Sequence, residues 1–383
     1  MDQNMIGAYR SLGEAVLGDK PARLSFRNNR FKDVDDWRAE ARAKARELLA
    51  SPDLEGAPKA EVLSETVLDG VLVQRLRWQL PYGPATDAVV LKPEGAKGRL
   101  PGVLGLHCHA GAKYFGWRKI ADDGSPINPE LAAIRKEEYE EHAWANRLAK
   151  RGYVVLCHDG FLFASRRVRI GEVLPVIRWN QAKDVSDGEP PEEIRAYNQW
   201  AGQHEHVMSK SLLCAGTTWP GVVVAEDQRA LDVLCARDDV DPERIGCGGL
   251  SGGGLRTVLL GGMDERIKCA VCAGLMTTWR DGMLWKSHTH TWMLYVPLLP
   301  QYLDWPELLG LRVPLPTMVM NNNEDSLFTL SEMQRADDIL REVYEKAGAA
   351  DRYQCTFYPG PHKFDLRMQD EAFDWYDRWL KSQ

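Results

Sequence analysis

The sequence predicts an α/β protein built on a mainly parallel, doubly wound sheet with helices on both faces, and three observations carry that reading. From Pro101 onward, short apolar runs alternate with helical patterns, the rhythm of parallel strands joined by crossover helices. A glycine-rich stretch, Arg244 to Gly254, passes from an apolar strand (Ile245 to Gly249) through a sharp turn into a helix from about Leu255. Two long stretches rich in aromatic residues break the rhythm, as lids and binding loops do in compact domains.

Residues 1–60 form a helical extension. Asp33, Asp35 and Asp36 precede Trp37, and Trp37, Ala41, Ala45 and Leu48 recur at helical spacing until Ser51-Pro52 closes the run. This helix is expected to pack on the main body, an interface with a second subunit being the alternative. Val71 to Trp78 and Ala88 to Leu91 follow as strands, separated by the turn at Pro81-Tyr82-Gly83-Pro84. The alternating part then reads as a strand at Gly102 to Leu106, a helix at Glu137 to Lys150, a strand at Tyr153 to Cys157 and a helix at Val222 to Ala236. After the glycine-rich turn come strands at Ile267 to Cys272, Thr317 to Met320 and Tyr353 to Tyr358, and a last helix at Met368 to Leu380. Residues 61–383 are thus one α/β domain with insertions at about 161–218 and 276–312. Both insertions are expected at the carboxyl ends of the strands, where such sheets bind ligands.

Composition narrows the function classes. A formal net charge of −7 leaves no electrostatic footprint for nucleic acid or an anionic membrane. No apolar run reaches the length of a membrane span, and Met1 to Met5 lack a signal peptide's basic and apolar regions. The eight cysteines mostly lie in or beside apolar runs and read as reduced core thiols. The expectation is a cytoplasmic protein acting on a small molecule, with no nucleic-acid or membrane partner; a homo-oligomer is left open. Gly246-x-Gly248-x-x-Ser251 lacks the third glycine of a dinucleotide fingerprint and no GxxxxGK[ST] occurs, so no cofactor is expected.

Gly249-x-Ser251-x-Gly253 has the spacing of a nucleophile on a strand-to-helix turn, where glycine neighbours allow close backbone approach and the helix N-terminus faces developing negative charge. A nucleophilic Ser251 needs a base and an acid to orient that base. The loop Asn321 to Ser326 supplies Asp325 as the acid, with Glu324 as its rival, and the loop Tyr358 to Phe364 supplies His362 as the base. The oxyanion donors would be the N–H of Gly252 and an N–H from the loop His107 to Gly111, with His109 favoured and Cys108 second. Substrate contacts are expected from His107, Trp219, Trp285, His288, His290 and Trp292. Arg166, Arg167 and Arg169 read either as a solvated basic face or as a carboxylate- or phosphate-binding group. A competing reading takes His107-x-His109, His204-x-His206 and His288-x-His290 as metal-ligand pairs of an amidohydrolase, but there is no HExxH and no metal scheme assembles.

These residues resemble the α/β-hydrolase superfamily from about residue 60 to the end. The helical extension with Trp37, His107-Cys108-His109-Ala110-Gly111, Val240 to Gly246, and Tyr295-Val296-Pro297 with Asp304 are similar to the bacterial dienelactone-hydrolase-like and acetylxylan-esterase-like branch. The resemblance implies a serine esterase with a lid, and it places the triad on Ser251, Asp325 and His362. This chain departs from it in three places: a serine stands where dienelactone hydrolases use cysteine, His107-Cys108 replaces the usual His-Gly, and Asn322 stands where glycine is common. The expected function is a serine carboxylic-ester hydrolase working through an acyl-enzyme, on acetylated sugars or small acyl esters. The alternatives are an oligopeptidase-type peptidase or amidase, the metal-dependent amidohydrolase, and a non-catalytic ligand binder on the same fold. Residues 1–100 are too short for the propeller that oligopeptidases carry.

Overall fold

The computed structural model describes residues 3–18 and 20–381. Its apolar runs form one sheet with strands β1 (Glu61–Leu68), β2 (Val71–Trp78), β3 (Thr86–Pro93), β4 (Leu100–Gly105), β5 (Val154–His158), β6 (Val240–Leu250), β7 (Ile267–Ala273), β8 (Thr317–Asn322) and β9 (Tyr353–Tyr358). Their spatial order is β1-β2-β3-β5-β4-β6-β7-β8-β9. The first three strands pair antiparallel, β3 meets β5 antiparallel, and every pairing from β5 across to β9 is parallel. After β4 the chain moves to one side for β5 and then to the other for β6. The crevice beyond the carboxyl ends of β4 and β6 is therefore the switch point at which doubly wound sheets bind ligands.

Burial explains which strands were legible. All residues of β5 and β8 are buried, because helices cover both faces there, and such strands read as continuous apolar runs. β1 was not expected. Seven of its eight residues are exposed, so it has no buried face to impose alternation, and it is held by its ladder with β2. The helices include α1 (Arg10–Leu17), α2 (Val34–Leu49), α3 (Pro129–Tyr139), α4 (Trp144–Lys150), α5 (Pro191–Cys214), α6 (Trp219–Cys235) and α7 (Gly252–Met263), with further helices at Leu330–Lys346 and Leu366–Tyr376. Trp144 and Leu148 of α4 pack with Phe373 and Tyr376 on one face of the sheet, and Leu231 and Leu234 of α6 pack on the other.

Two expectations need correction. The helix expected over Glu137 to Lys150 is two helices, because Glu140 and Glu141 take left-handed backbone angles (φ 53° and 67°) and end α3 before α4 begins. The first insertion is not all irregular: it contains the 24-residue α5, opened by Pro190-Pro191 with Glu192 and Glu193 in its first turn. All eight cysteines are free thiols, five of them buried. Among the described residues no helix is long and apolar enough to cross a membrane.

The extension packs on the body as expected. Asp33 caps α2 by accepting from the N–H groups of Asp35 and Asp36, and Trp37, Ala41, Ala45 and Leu49 form its buried stripe. Trp37 stacks on Phe26 with ring centroids 4.8 Å apart, and its indole N–H donates to the Leu24 carbonyl at 2.6 Å. Arg42 and Arg46 reach the carbonyls of Gly262 and Met263 at the C-terminus of α7, a favourable place for cations. Trp37→Ala leaves a fully buried cavity and an unmatched carbonyl, so denaturant unfolding should show a loss of about 3–5 kcal/mol.

Candidate active site

β6 ends at Leu250, and the chain turns at Ser251 (φ 59°, ψ −115°) into α7. A β-branched or bulky residue is disfavoured at such angles, and the strain persists only because the surroundings over-determine it. A β-carbon on Gly249 would lie 2.0 Å from the Leu106 carbonyl oxygen, and one on Gly253 would lie 2.1 Å from the same atom. Those two glycines let the turn press against the end of β4. The Ser251 N–H donates to Ala273 O at 2.8 Å, fastening the turn to β7.

The loop after β4 lies against this turn. A β-carbon on Gly252 would stand 2.8 Å from the His109 amide nitrogen, so the two amides border the same small space. Among the described residues neither N–H donates to a protein acceptor. Buried side chains hold the loop. Lys119 donates to the carbonyls of Cys108 and His109 at 2.9 and 2.8 Å, and burial brings its ammonium down to about 8. His107 accepts from the Gly160 N–H at 3.1 Å and donates from Nδ1 to the Cys108 carbonyl at 3.0 Å. Burial, then the charges of Arg256 and Lys119, push its pKa well down, which keeps the ring neutral for that pairing.

His362 and Asp325 meet at 2.5 Å, Nδ1 to Oδ2, while Asp325 Oδ1 accepts from the Leu327 N–H at 2.9 Å. Glu324, the rival acid, is exposed, whereas Asp325 is buried. A β-carbon on Gly274 would lie 2.8 Å from His362 Cε1 and 2.7 Å from Leu250 Cδ1, so the imidazole sits above the ends of β6 and β7, beside the serine turn. Its Nε2 is buried and has no partner among the described residues. Burial lowers the pKa of His362, but the hydrogen bond and charge of Asp325, with Glu138 and Glu137 beyond, outweigh it and leave the value raised.

Both insertions are tied to this site by one carboxylate. Glu205 of α5 is buried, and its Oε1 accepts from His109 Nε2 at 2.9 Å and stands 2.8 Å from Lys113 Nζ. Its Oε2 accepts from the Thr291 hydroxyl at 2.8 Å and the Trp292 N–H at 3.0 Å. Burial alone would raise its pKa, but Lys113 and His109 hold it far below the usual carboxylate range. Beneath, Arg256 of α7 bonds Asp227 of α6 through Nε and Nη2, and its buried Nη1 has no partner among the described residues. Sequence reasoning missed Glu205, Lys113, Lys119 and Arg256. Glu205 had a signal: it lies between His204 and His206, the pair weighed as metal ligands.

The other expected residues divide. His107 holds the loop after β4. Trp219 is buried, edge-on to Phe161 and 4.8 Å under the Lys113 ammonium. His290 packs on Phe328 beside the acid loop. His288 and Trp292 are exposed, and Trp285 is half-buried beneath Arg280. The His-x-His pairs do not converge either: His204 stacks on Trp200 and His206 on Trp179. Among the described residues no three His, Cys, Asp or Glu side chains are grouped to hold a metal. Arg166 is buried against Glu226, not on a solvated face.

A nine-stranded sheet of this order, with the serine turn after β6, acid after β8 and histidine after β9, superposes on solved structures. One is the "putative acetyl xylan esterase" of Bacteroides fragilis, with a TM-score of 0.69 at 17% identity, covering 92% of this chain and 83% of that one. The fold is that of an α/β-hydrolase. The glucuronoyl esterase of Solibacter usitatus matches with a TM-score of 0.60 at 15% identity, over 94% of this chain and 97% of that one. In sequence, this chain is 25% identical over 312 residues to the Bacillus subtilis protein "Putative hydrolase YtaP", covering 81% of this chain and 88% of that protein. No family model matches the chain.

Replacing Glu205 by Ala strands the buried Lys113 and His109 and frees Thr291 and Trp292 together. Unfolding experiments should show a loss of about 3–5 kcal/mol, and limited proteolysis should cut near residues 286–295 faster than in the wild type.

Proposed function

We propose that this chain is a serine carboxylic-ester hydrolase in which Ser251, His362 and Asp325 form the triad. The observation that carries the reading is the His362–Asp325 pair, whose free Nε2 lies beside a strained serine turn that opens a helix. In this mechanism His362 Nε2 takes the Ser251 proton as the hydroxyl oxygen attacks the ester carbonyl. The N–H groups of Gly252 and His109 receive the oxyanion, helped by the N-terminal dipole of α7. His362 returns the proton to the departing alcohol, and a water then releases the acyl group from Ser251 by the same steps. Asp325 holds the imidazole with Nδ1–H toward it and stabilises the imidazolium. The names of the solved structures sharing the fold, an acetyl xylan esterase and a glucuronoyl esterase, support ester chemistry for this site.

A fluorophosphonate should label Ser251 with loss of fluoride, and mass spectrometry of the labelled peptide identifies the residue. Ser251→Ala should abolish labelling and lower ester turnover by about 10⁴-fold or more. The reaction needs neutral His362, so kcat/KM should rise with pH through a midpoint above about 6.5, the ordinary histidine value. Asp325→Asn removes the group that raises that pKa. The midpoint should move to lower pH and the plateau fall by about 10⁴-fold; an unchanged midpoint would rule out Asp325 as the partner.

A further inference from the structure

Beside the histidine–acid pair the fold encloses a cavity of about 500 Å³ to which no role has been given. Its inner end is built by residues that flank the proposed machinery. Leu275 follows the glycine on which His362 rests, Phe328 lies three residues after Asp325, and His290 packs on Phe328 with ring centroids 4.9 Å apart. Trp279, Leu294 and Trp305 continue the wall. Thr277 and Thr278 also line it, but their hydroxyls donate to Asp281 and Glu332 at 2.8 and 2.6 Å, so their hydrogen-bonding capacity is spent on protein carboxylates. α1 forms the outer wall through Gly13, Val16 and Leu17, with Val16 62% exposed at the rim.

Ser287, Gln301 and the ring of His290 also line the cavity. His290 Nε2 is buried and has no partner among the described residues. A mainly apolar cavity with a few polar groups is the usual form of a small-molecule site. The oxyanion side offers no comparable room: the space among His107, His109, Gly252 and Met293 is about 10 Å³, enough for about one water.

We propose that this cavity receives the hydrocarbon part of the ester. The substrate class is then esters bearing an alkyl or aryl group of several carbons, and acetyl groups on an unadorned sugar are poor substrates. The inference rests on the serine-esterase reading, because the cavity matters to turnover only if the bond broken lies at Ser251.

Two ester series decide it. One lengthens the acyl chain from acetyl to decanoyl on p-nitrophenol; the other lengthens the alcohol from methyl to octyl on acetate. In at least one series kcat/KM should climb about 10-fold or more by six to eight carbons, within the limit of roughly fourfold per buried methylene set by ~0.8 kcal/mol each. The series that climbs identifies the side of the ester the cavity holds. Gly13→Phe projects a ring toward Met283, whose sulfur lies 2.8 Å from the position of the new β-carbon, and should flatten the climbing series. Val16→Glu, which places a carboxylate at the rim, should flatten it too and serves if the first variant does not fold. Flat profiles in both series, with Ser251-dependent hydrolysis of the acetyl ester intact, overturn the cavity assignment alone. A climbing profile that both folded variants leave unchanged overturns it as well. Absence of Ser251-dependent hydrolysis of every ester overturns the esterase reading itself.

Discussion

Everything in the site depends on a backbone-to-backbone contact: the end of β4 against the turn that follows β6. The Leu106 carbonyl occupies the space where β-carbons on residues 249 and 253 would stand. That closeness forces glycine at two positions, bends the chain at Ser251 and brings the amides of Gly252 and His109 to one small volume. The strand order makes the contact available, since β4 and β6 are neighbours although α3, α4, β5, α5 and α6 separate them along the chain.

Around that contact the protein uses buried charge where apolar packing would serve stability as well. Lys119, Glu205, Lys113, Arg256 and Asp227 are all buried within or beneath the site. Desolvating such groups costs several kcal/mol each unless partners compensate. Their partners here are mostly the loop carbonyls and each other, so the compensation specifies geometry. Lys119 fixes two peptide planes of the loop after β4, and Glu205 joins that loop to both insertions. A mainly apolar interior would leave the His109 amide free to rotate away from Gly252.

Much of this was legible in the residues, for identifiable reasons. Ser251 and its glycines lie within one pentapeptide, and strands buried on both faces announce themselves as apolar runs. Asp325 and His362 were singled out because each follows a strand, and their 2.5 Å contact distinguishes Asp325 from Glu324, which adjacency in sequence does not. β1 escaped notice because an exposed strand carries no pattern. α5 escaped because its length lies in a stretch whose buried residues are spaced among many polar ones, including the two histidines that suggested a metal. The network on Glu205 joins residues some 86 to 96 positions apart along the chain, and single-sequence patterns carry no record of such pairings.

The arginines of α2 give the N-terminal extension a meaning beyond its own helix. α7, the helix that Ser251 opens, finishes at Gly262 and Met263, and the carbonyls there are met by Arg42 and Arg46 from forty residues into the chain. α2 is therefore a brace for the far end of α7. Trimming the chain ahead of β1 would cut through a structural joint.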